Sequence, residues 1–426
     1  MKFGRRSLLI GAAAIGAGAL VTRPLWYASG AAVEPQSLRI PALLDARALA
    51  NSVSLEVQAG NTEFFPGRAS PTLGYNGGHL GPTIRVNRGD DVEIAVTNRL
   101  AEDTTVHWHG LLAPAELDDG PHQLIKSSST WRPRLPVRQP AATLFYHAHV
   151  HGRTGAQVYS GLAGVLIVTD NEERALGLPS EYGVDDLPLV FQDRLFEDGL
   201  MVLPEGMMTV MQGRRGNTTL VNGTPNAGLS AALQTAPDTN LPMMMGQGSR
   251  VWNLARNITG GGDEVVLRFE PTGQQDPAAP LGRLVSRQSV NAYQATKRRQ
   301  FVLGMGMGGM MGGGIGSSAG MTINGRPFEM GRIDERVALG DTEIWEISGE
   351  MMSHPFHFHG VQSEVLSRNR GKPIARDAGI RDTVLVREPV ELLVRFTQPA
   401  VRAPFMYHCH ILEHKDDGMM GQFATT

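Results

Sequence analysis

The chain has 426 residues, 41% of them hydrophobic, and a formal net charge of −3. At about 150 residues per domain, that length allows roughly three domains. The near-neutral balance offers no basic patch to neutralise phosphates, which excludes nucleic acid as an expected partner.

The N-terminus, MKFGRRSLLIGAAAIGAGALVTRPLW, places Arg5 and Arg6 before an apolar run from Leu8 to Val21. Small residues near Ala28 to Ala32 offer a cleavage region. Residues 1–32 read as a twin-arginine export signal, so the export machinery is an expected partner and the periplasm or another exported location the expected destination. The run is short of the ~20 apolar residues that a spanning helix needs. No later segment is long and apolar enough to span, so no stable membrane span is expected once the signal is removed. A lone cysteine, Cys409, excludes an internal disulfide.

The rest reads as strands and turns, with 51 glycines, 26 prolines and no long amphipathic helical pattern. Residues 37–170 form a first block, with alternating runs such as Val92-Glu-Ile-Ala-Val and Gly164-Val-Leu-Ile-Val. Residues 187–298 form a second, short block. Residues 300–426 form a third, with Glu343-Ile-Trp-Glu-Ile and Leu392-Leu-Val-Arg-Phe. Val221-Asn-Gly returns as Ile323-Asn-Gly, a hint of repeated β units. An all-β chain of three packed sandwiches, the middle one shortened, is the predicted architecture. Two methionine-rich stretches interrupt it: Met243-Met-Met, and Gly304 to Gly320, a Gly/Met loop. Thioethers are soft ligands that select Cu(I), although scattered Met is also ordinary packing.

Ten of the 13 histidines fall in four clusters. These are His107 and His109 in HWHG; His147 and His149 in HAHVHG; His354, His357 and His359 in HPFHFHG; and His408, His410 and His414 in HCHILEHKDDGMM. His-Xaa-His on a strand points two imidazoles to one side. In the last cluster Cys409, His414 and Met419 are three ligands of the two-His, one-Cys, weak-Met set of a blue copper site. His354 is the expected fourth. If Cys409 faces that metal, His408 and His410 face the opposite way, so one short segment bridges two metal sites. The remaining eight imidazoles suit a cluster of three metals with coordination left open for a small molecule. His79 and His122 read as ordinary hydrogen-bonded residues, and His151 as a neighbour at most.

With these four motifs in order, the chain resembles the multicopper oxidases, the three-domain cupredoxin family that includes laccases, bilirubin oxidase and bacterial periplasmic cuprous oxidases. The cuprous oxidases are the nearest in pattern, and the likeness covers the first and third blocks better than the second. The resemblance implies three cupredoxin-like Greek-key β-sandwich domains and four copper ions. Type 1 copper would lie on His354, Cys409, His414 and Met419, and type 2 on His107 and His357. The type 3 pair would lie on His109, His147 and His410, and on His149, His359 and His408. It further implies one-electron oxidation of a reductant with reduction of O2 to water, and Asp118 as a proton source. Glu350 and Met352, with Met305, would receive Cu(I) as substrate, in copper tolerance. A laccase-like oxidase of small phenols is the alternative. From another class come a copper-sequestering protein and an envelope scaffold like the family's copper-free cell-division member, which loss of ligands would mark. Lys415 departs from the pattern, standing where many relatives carry a carboxylate linked to proton delivery; Asp416 or Glu413 are the possible substitutes.

Overall fold

The structure, a computed structural model, describes residues 36–118, 120–225, 227–231, 267–271, 292–305 and 320–426. The export segment, Met243 to Met245 and most of the Gly/Met loop lie outside the described residues.

The first unit is a sandwich of two sheets. One orders its strands Leu43–Asp45, Thr83–Asn87, Ala163–Thr169, Ala142–His147 and His107–His109. The other orders Arg68–Tyr75, Ser52–Phe65, Asp91–Asn98 and Thr130–Trp131. Alternation explains the packing. In Asp91–Asn98, Val92, Ile94 and Val96 are fully buried in a core shared with Trp108 and Tyr146, while Asp91, Glu93 and Thr97 are only partly covered. The third unit repeats the plan with two five-stranded sheets. Strand His354–Phe358 lies between Phe405–Cys409 and Thr383–Val386, and Trp345, Phe301, Phe356 and Phe423 fill the core.

Between them, Phe191–Glu197, Leu200–Val202, Thr218–Val221 and Thr224–Pro225 form one sheet. Gln36–Ser37, Ala227–Ala231 and Leu267–Pro271 form a parallel one. Their described cores are small, Leu38 with Val221 and Ala227 in one and Phe64 with Phe196 and Leu220 in the other. The repeated Asn-Gly marks equivalent turns. Asn222 and Gly223 both have positive φ, as do Asn324 and Gly325, the requirement of a tight type I′ hairpin. Each Asn side chain accepts a backbone N–H, Val190 at 2.7 Å and Val302 at 2.8 Å. No helix among the described residues is long and apolar enough to cross a membrane.

Candidate metal centre

Register builds the first site. Strand His354–Phe358 pairs antiparallel with Phe405–Cys409, with Phe356 opposite Cys409 and His357 opposite His408. The Sγ of Cys409 lies 3.5 Å from His354 Nδ1 and 3.6 Å from Nδ1 of His414, which the short helix Leu412–Asp416 carries. Met419 is buried in the same core, and its carbonyl accepts the Cys409 N–H at 3.1 Å. The far imidazole nitrogens are held by carbonyls: His354 Nε2 by Glu350 O and His414 Nε2 by Met211 O, both at 3.2 Å. With Nε2 donating, each ring turns its Nδ1 lone pair toward the sulfur. Burial pushes the Cys409 thiol up to about 12 and His414 down to about 4. The imidazoles are therefore neutral, and a metal that binds must displace the thiol proton.

The eight other histidines meet where the first and third units face each other, and all but His410 are fully buried. His107 stacks on His359 at 3.7 Å between centroids, and His109 on His357 at 3.8 Å. Nε2 atoms face one another at 3.3 Å between His107 and His357, 3.1 Å between His149 and His408, and 3.3 Å between His359 and His408. Several of these rings direct Nδ1 to an oxygen: His107 to Asp118 O, His357 to Asp382 O and His408 to Cys409 O, at 2.9–3.0 Å. For the His107–His357 pair that leaves acceptor facing acceptor, an arrangement a cation resolves. His109 Nδ1, His147 Nε2 and His410 Nε2 have no hydrogen-bond partner among the described residues. Buried polar nitrogens without partners are costly, which again fits metal ligation. Burial, the largest cause, holds His109, His147, His149, His357, His359 and His408 well below the usual imidazole range. Neutral imidazole suits copper, and with one buried cysteine sulfur beside it the donor chemistry fits that metal.

Among the described residues five sets offer ligand atoms within 4.8 Å of one another: His354, Cys409 and His414; His107, His357 and His359; His107, His109 and His147; His149, His359 and His408; and His109, His357 and Asp382. His410 closes on the third set, with ring centroids 4.9 Å from His109 and 5.4 Å from His147.

Asp118 is buried between two histidines of the cluster. Its Oδ2 lies 2.9 Å from His359 Nδ1 and its Oδ1 3.4 Å from His107 Nδ1. Burial pushes its carboxyl up to about 6. A second acid, Asp382, has no counterpart in the sequence reading. Its Oδ2 is 3.2 Å from His109 Nε2, and burial raises its carboxyl too. Nothing local marks Arg381-Asp-Thr. Only the pairing of Thr383 with His357 brings Asp382 to the cluster, beside a cavity of about 300 Å³ lined by His109, Phe145, Asp382, Thr383 and His410.

Of the three substrate candidates, Glu350 is exposed and Met352 half-buried against the third core, both next to His354. Met305 is a correction: alternation along Lys297–Met305 turns it into the core, at 7% exposure, where its thioether packs. The short helix Met207–Gln212 stands over His414 instead, with Met207 and Met208 about two-thirds exposed. That Met-Met pair was visible in the sequence, but nothing tied it to a site more than 200 residues away.

Lys415 is fully buried. Its Nζ donates to Thr154 Oγ1 and, at 3.4 Å, to the His149 carbonyl, with Asp416 Oδ1 also 3.4 Å away. Asp416 caps the Gly152 and Gly155 amides at 3.1 and 2.8 Å, and Glu413 pairs with Arg214. The two nearby carboxylates thus join helix Leu412–Asp416 to the other units.

A family model described as multicopper oxidase matches residues 56–173, and another of the same description residues 295–426. The chain is 32% identical to multicopper oxidase mco of Staphylococcus haemolyticus, over 88% of each chain. It is also 32% identical to cell division protein FtsP of Xenorhabdus nematophila, over 92% of each. A solved laccase-like multicopper oxidase, CueO from the lignin-degrading Ochrobactrum sp., superposes with a TM-score of 0.78 at 31% identity, covering 91% of this chain and all of that one.

Proposed function

Because the chain belongs to the multicopper oxidase family of oxidoreductases, we propose that it is an exported enzyme that oxidises Cu(I) one electron at a time and reduces O2 to water, in copper tolerance. The observation that carries this reading is the Cys409–His354–His414 trio lying one residue from His408 and His410, which turn into the eight-histidine cluster.

Four copper ions, one at the trio and three among the eight histidines, would supply the one-electron redox chemistry that couples a reductant to O2. The chain's own residues set the conditions. His354, Cys409, His414 and Met419 would hold one ion in an apolar core. His107 with His357, His109 with His147 and His410, and His149 with His359 and His408 would hold the others. The peptide links of His408-Cys409-His410 join the two sites by the shortest covalent route. Asp118 accepts from His359 Nδ1 and, with burial raising its carboxyl to about 6, takes up and releases a proton beside the cluster for oxygen reduction. Glu350 and Met352, with Met207 and Met208, present a carboxylate and soft thioethers on the surface over His354 and His414, chemistry that suits an arriving Cu(I).

Oxygen uptake by copper-loaded protein tests the reading. Saturable uptake with a Cu(I) complex, with KM raised by Met352→Ala or Glu350→Gln, is the expected result. Uptake with a phenol alone would make it laccase-like, as the Ochrobactrum relative is described. Copper binding without turnover would leave sequestration, or a scaffold role nearer that of the FtsP relatives. The intact set of twelve ligand candidates favours the enzyme.

A further inference from the structure

Strand His107–His109 turns its two histidines into the cluster and its middle residue, Trp108, the other way, into the core of the first unit. Trp108 is fully buried, and its indole Nε1 has no hydrogen-bond partner among the described residues. Aromatic rings flank it on two sides. Trp131 stacks on it, with centroids 6.3 Å apart and planes 17° from parallel. Tyr146, its partner across the sheet, tilts against it at 5.9 Å, and Tyr75 meets Tyr146 at 5.1 Å. All three contacts fall in the ~4.5–7 Å range of touching aromatic pairs, so each is a short step for an electron.

The two branches end differently. Tyr75 and Tyr146 are buried, and the Tyr146 hydroxyl donates to the Pro82 carbonyl at 2.8 Å. A phenol gives up an electron readily only when its proton leaves with it, and a carbonyl is too weak a base to take that proton. An indole differs, because its cation radical survives with the N–H in place. With no partner at Nε1, a positive charge on Trp108 is not trapped there by proton loss. Holding that charge in an apolar core is costly, which drives it toward water. Trp131, on the edge strand Thr130–Trp131, is half-buried and is the one ring of these four that reaches solvent. The third core buries Trp345 in the same way. Its ring neighbours there are Phe301, Phe358, Phe396, Phe423 and Tyr407, and all six are buried.

We propose that Trp108 and Trp131 form an electron relay that discharges the cluster when the supply of reductant fails. The relay is protective and rests on oxygen reduction at the eight-histidine cluster, whichever reductant feeds it. When O2 there has taken fewer electrons than water formation needs, one electron leaves Trp108 for the cluster across the peptide links to His107 and His109. One electron from Trp131 then restores Trp108. The oxidised Trp131 loses its N–H proton to water. An electron from an external reductant, with a proton from water, returns it to the indole. O2 is thus the acceptor and the reductant the final donor, one electron at a time. With no reductant left, the Trp131 radical adds O2 instead, and its ring is oxygenated in place of a cluster histidine.

Peptide mapping by mass spectrometry tests it. Copper-loaded protein is held under O2 with a limiting Cu(I) complex and, separately, with limiting hydroquinone, and oxygen uptake is followed in the same samples. Oxygenated Trp131 beside unmodified Trp345 is the expected result with whichever feed drives uptake. Trp108→Phe leaves Trp131 at the surface but breaks the relay, so it should spare Trp131. Trp131→Phe should remove the product and lower the amount of O2 consumed before inactivation. Equal oxidation of Trp131 in folded Trp108→Phe, or in copper-free protein given hydrogen peroxide, would point to diffusing oxidants and overturn the relay. Uptake that leaves Trp131 intact in the parent overturns it as well. No uptake with either feed removes the oxidase reading, and the relay with it.

Discussion

Asp118 Oδ2 lies 2.9 Å from His359 Nδ1, so a carboxylate of the first unit holds a cluster histidine of the third, 241 positions away. The ring is thereby oriented with Nε2 toward His408, and the acid is fixed against the cluster without itself lying among the converging nitrogens. Asp118→Asn keeps the shape and removes the titrating group. Steady-state oxygen reduction should fall by roughly a hundredfold, the scale of a lost acid–base group, with copper content unchanged. A fall in bound copper would assign Asp118 to ligand orientation alone.

Cys409→Ser should remove the intense visible absorption of a copper–thiolate and one copper per chain. The eight-histidine cluster, whose rings come from both units, should keep its metal. Metal analysis beside the absorption spectrum checks this. Loss of all copper would mean that the two sites load as one.

Arg214 and Glu413 form an ion pair with both side chains largely buried, and Arg214 N also donates to Glu413 Oε2 at 3.3 Å. Removing one partner of such a pair leaves an uncompensated charge. Arg214→Ala should destabilise by about 3 kcal/mol, and Arg214→Met with Glu413→Gln by less. Chemical denaturation of the two variants gives the comparison. Equal losses would show that packing, not charge, holds helix Leu412–Asp416 to the middle unit.

His79 packs edge-on to Phe64 at 5.1 Å, and burial lowers its pKa to about 3, against 6.5 unfolded. Above pH 6.5 both states are neutral and the group contributes no pH dependence. Between pH 6.5 and 3 the unfolded chain takes up a proton that the folded one refuses. Stability then falls by at most about 1.4 kcal/mol per pH unit and levels off below pH 3. Copper-loaded His79→Leu should lose less stability than the parent between pH 7.5 and 5, read from denaturant midpoints. Parallel losses would place the acid sensitivity elsewhere.

The donor set was legible in the chain because it is local: His-Xaa-His turns two imidazoles one way by strand alternation, and a single cysteine between two histidines needs no tertiary information to be singled out. The β architecture followed from period-two runs and turn residues, and the two Asn-Gly turns marked its repetition. Tertiary structure decided what depends on pairing at long range. Asp382 reaches His109 only because Thr383 lies opposite His357. Met211 reaches His414 only because the middle sheet stands against helix Leu412–Asp416. Met305 reads in the sequence as a thioether free to bind, but the register of its strand turns it inward. Lys415 reads in the sequence only as a departure from a carboxylate position, and its burial against His149 follows from its neighbours His414 and Asp416 both being tied to other units. Spacing along a strand sets which side chains share a face; which face meets which is settled by sheets and units that pack hundreds of residues apart.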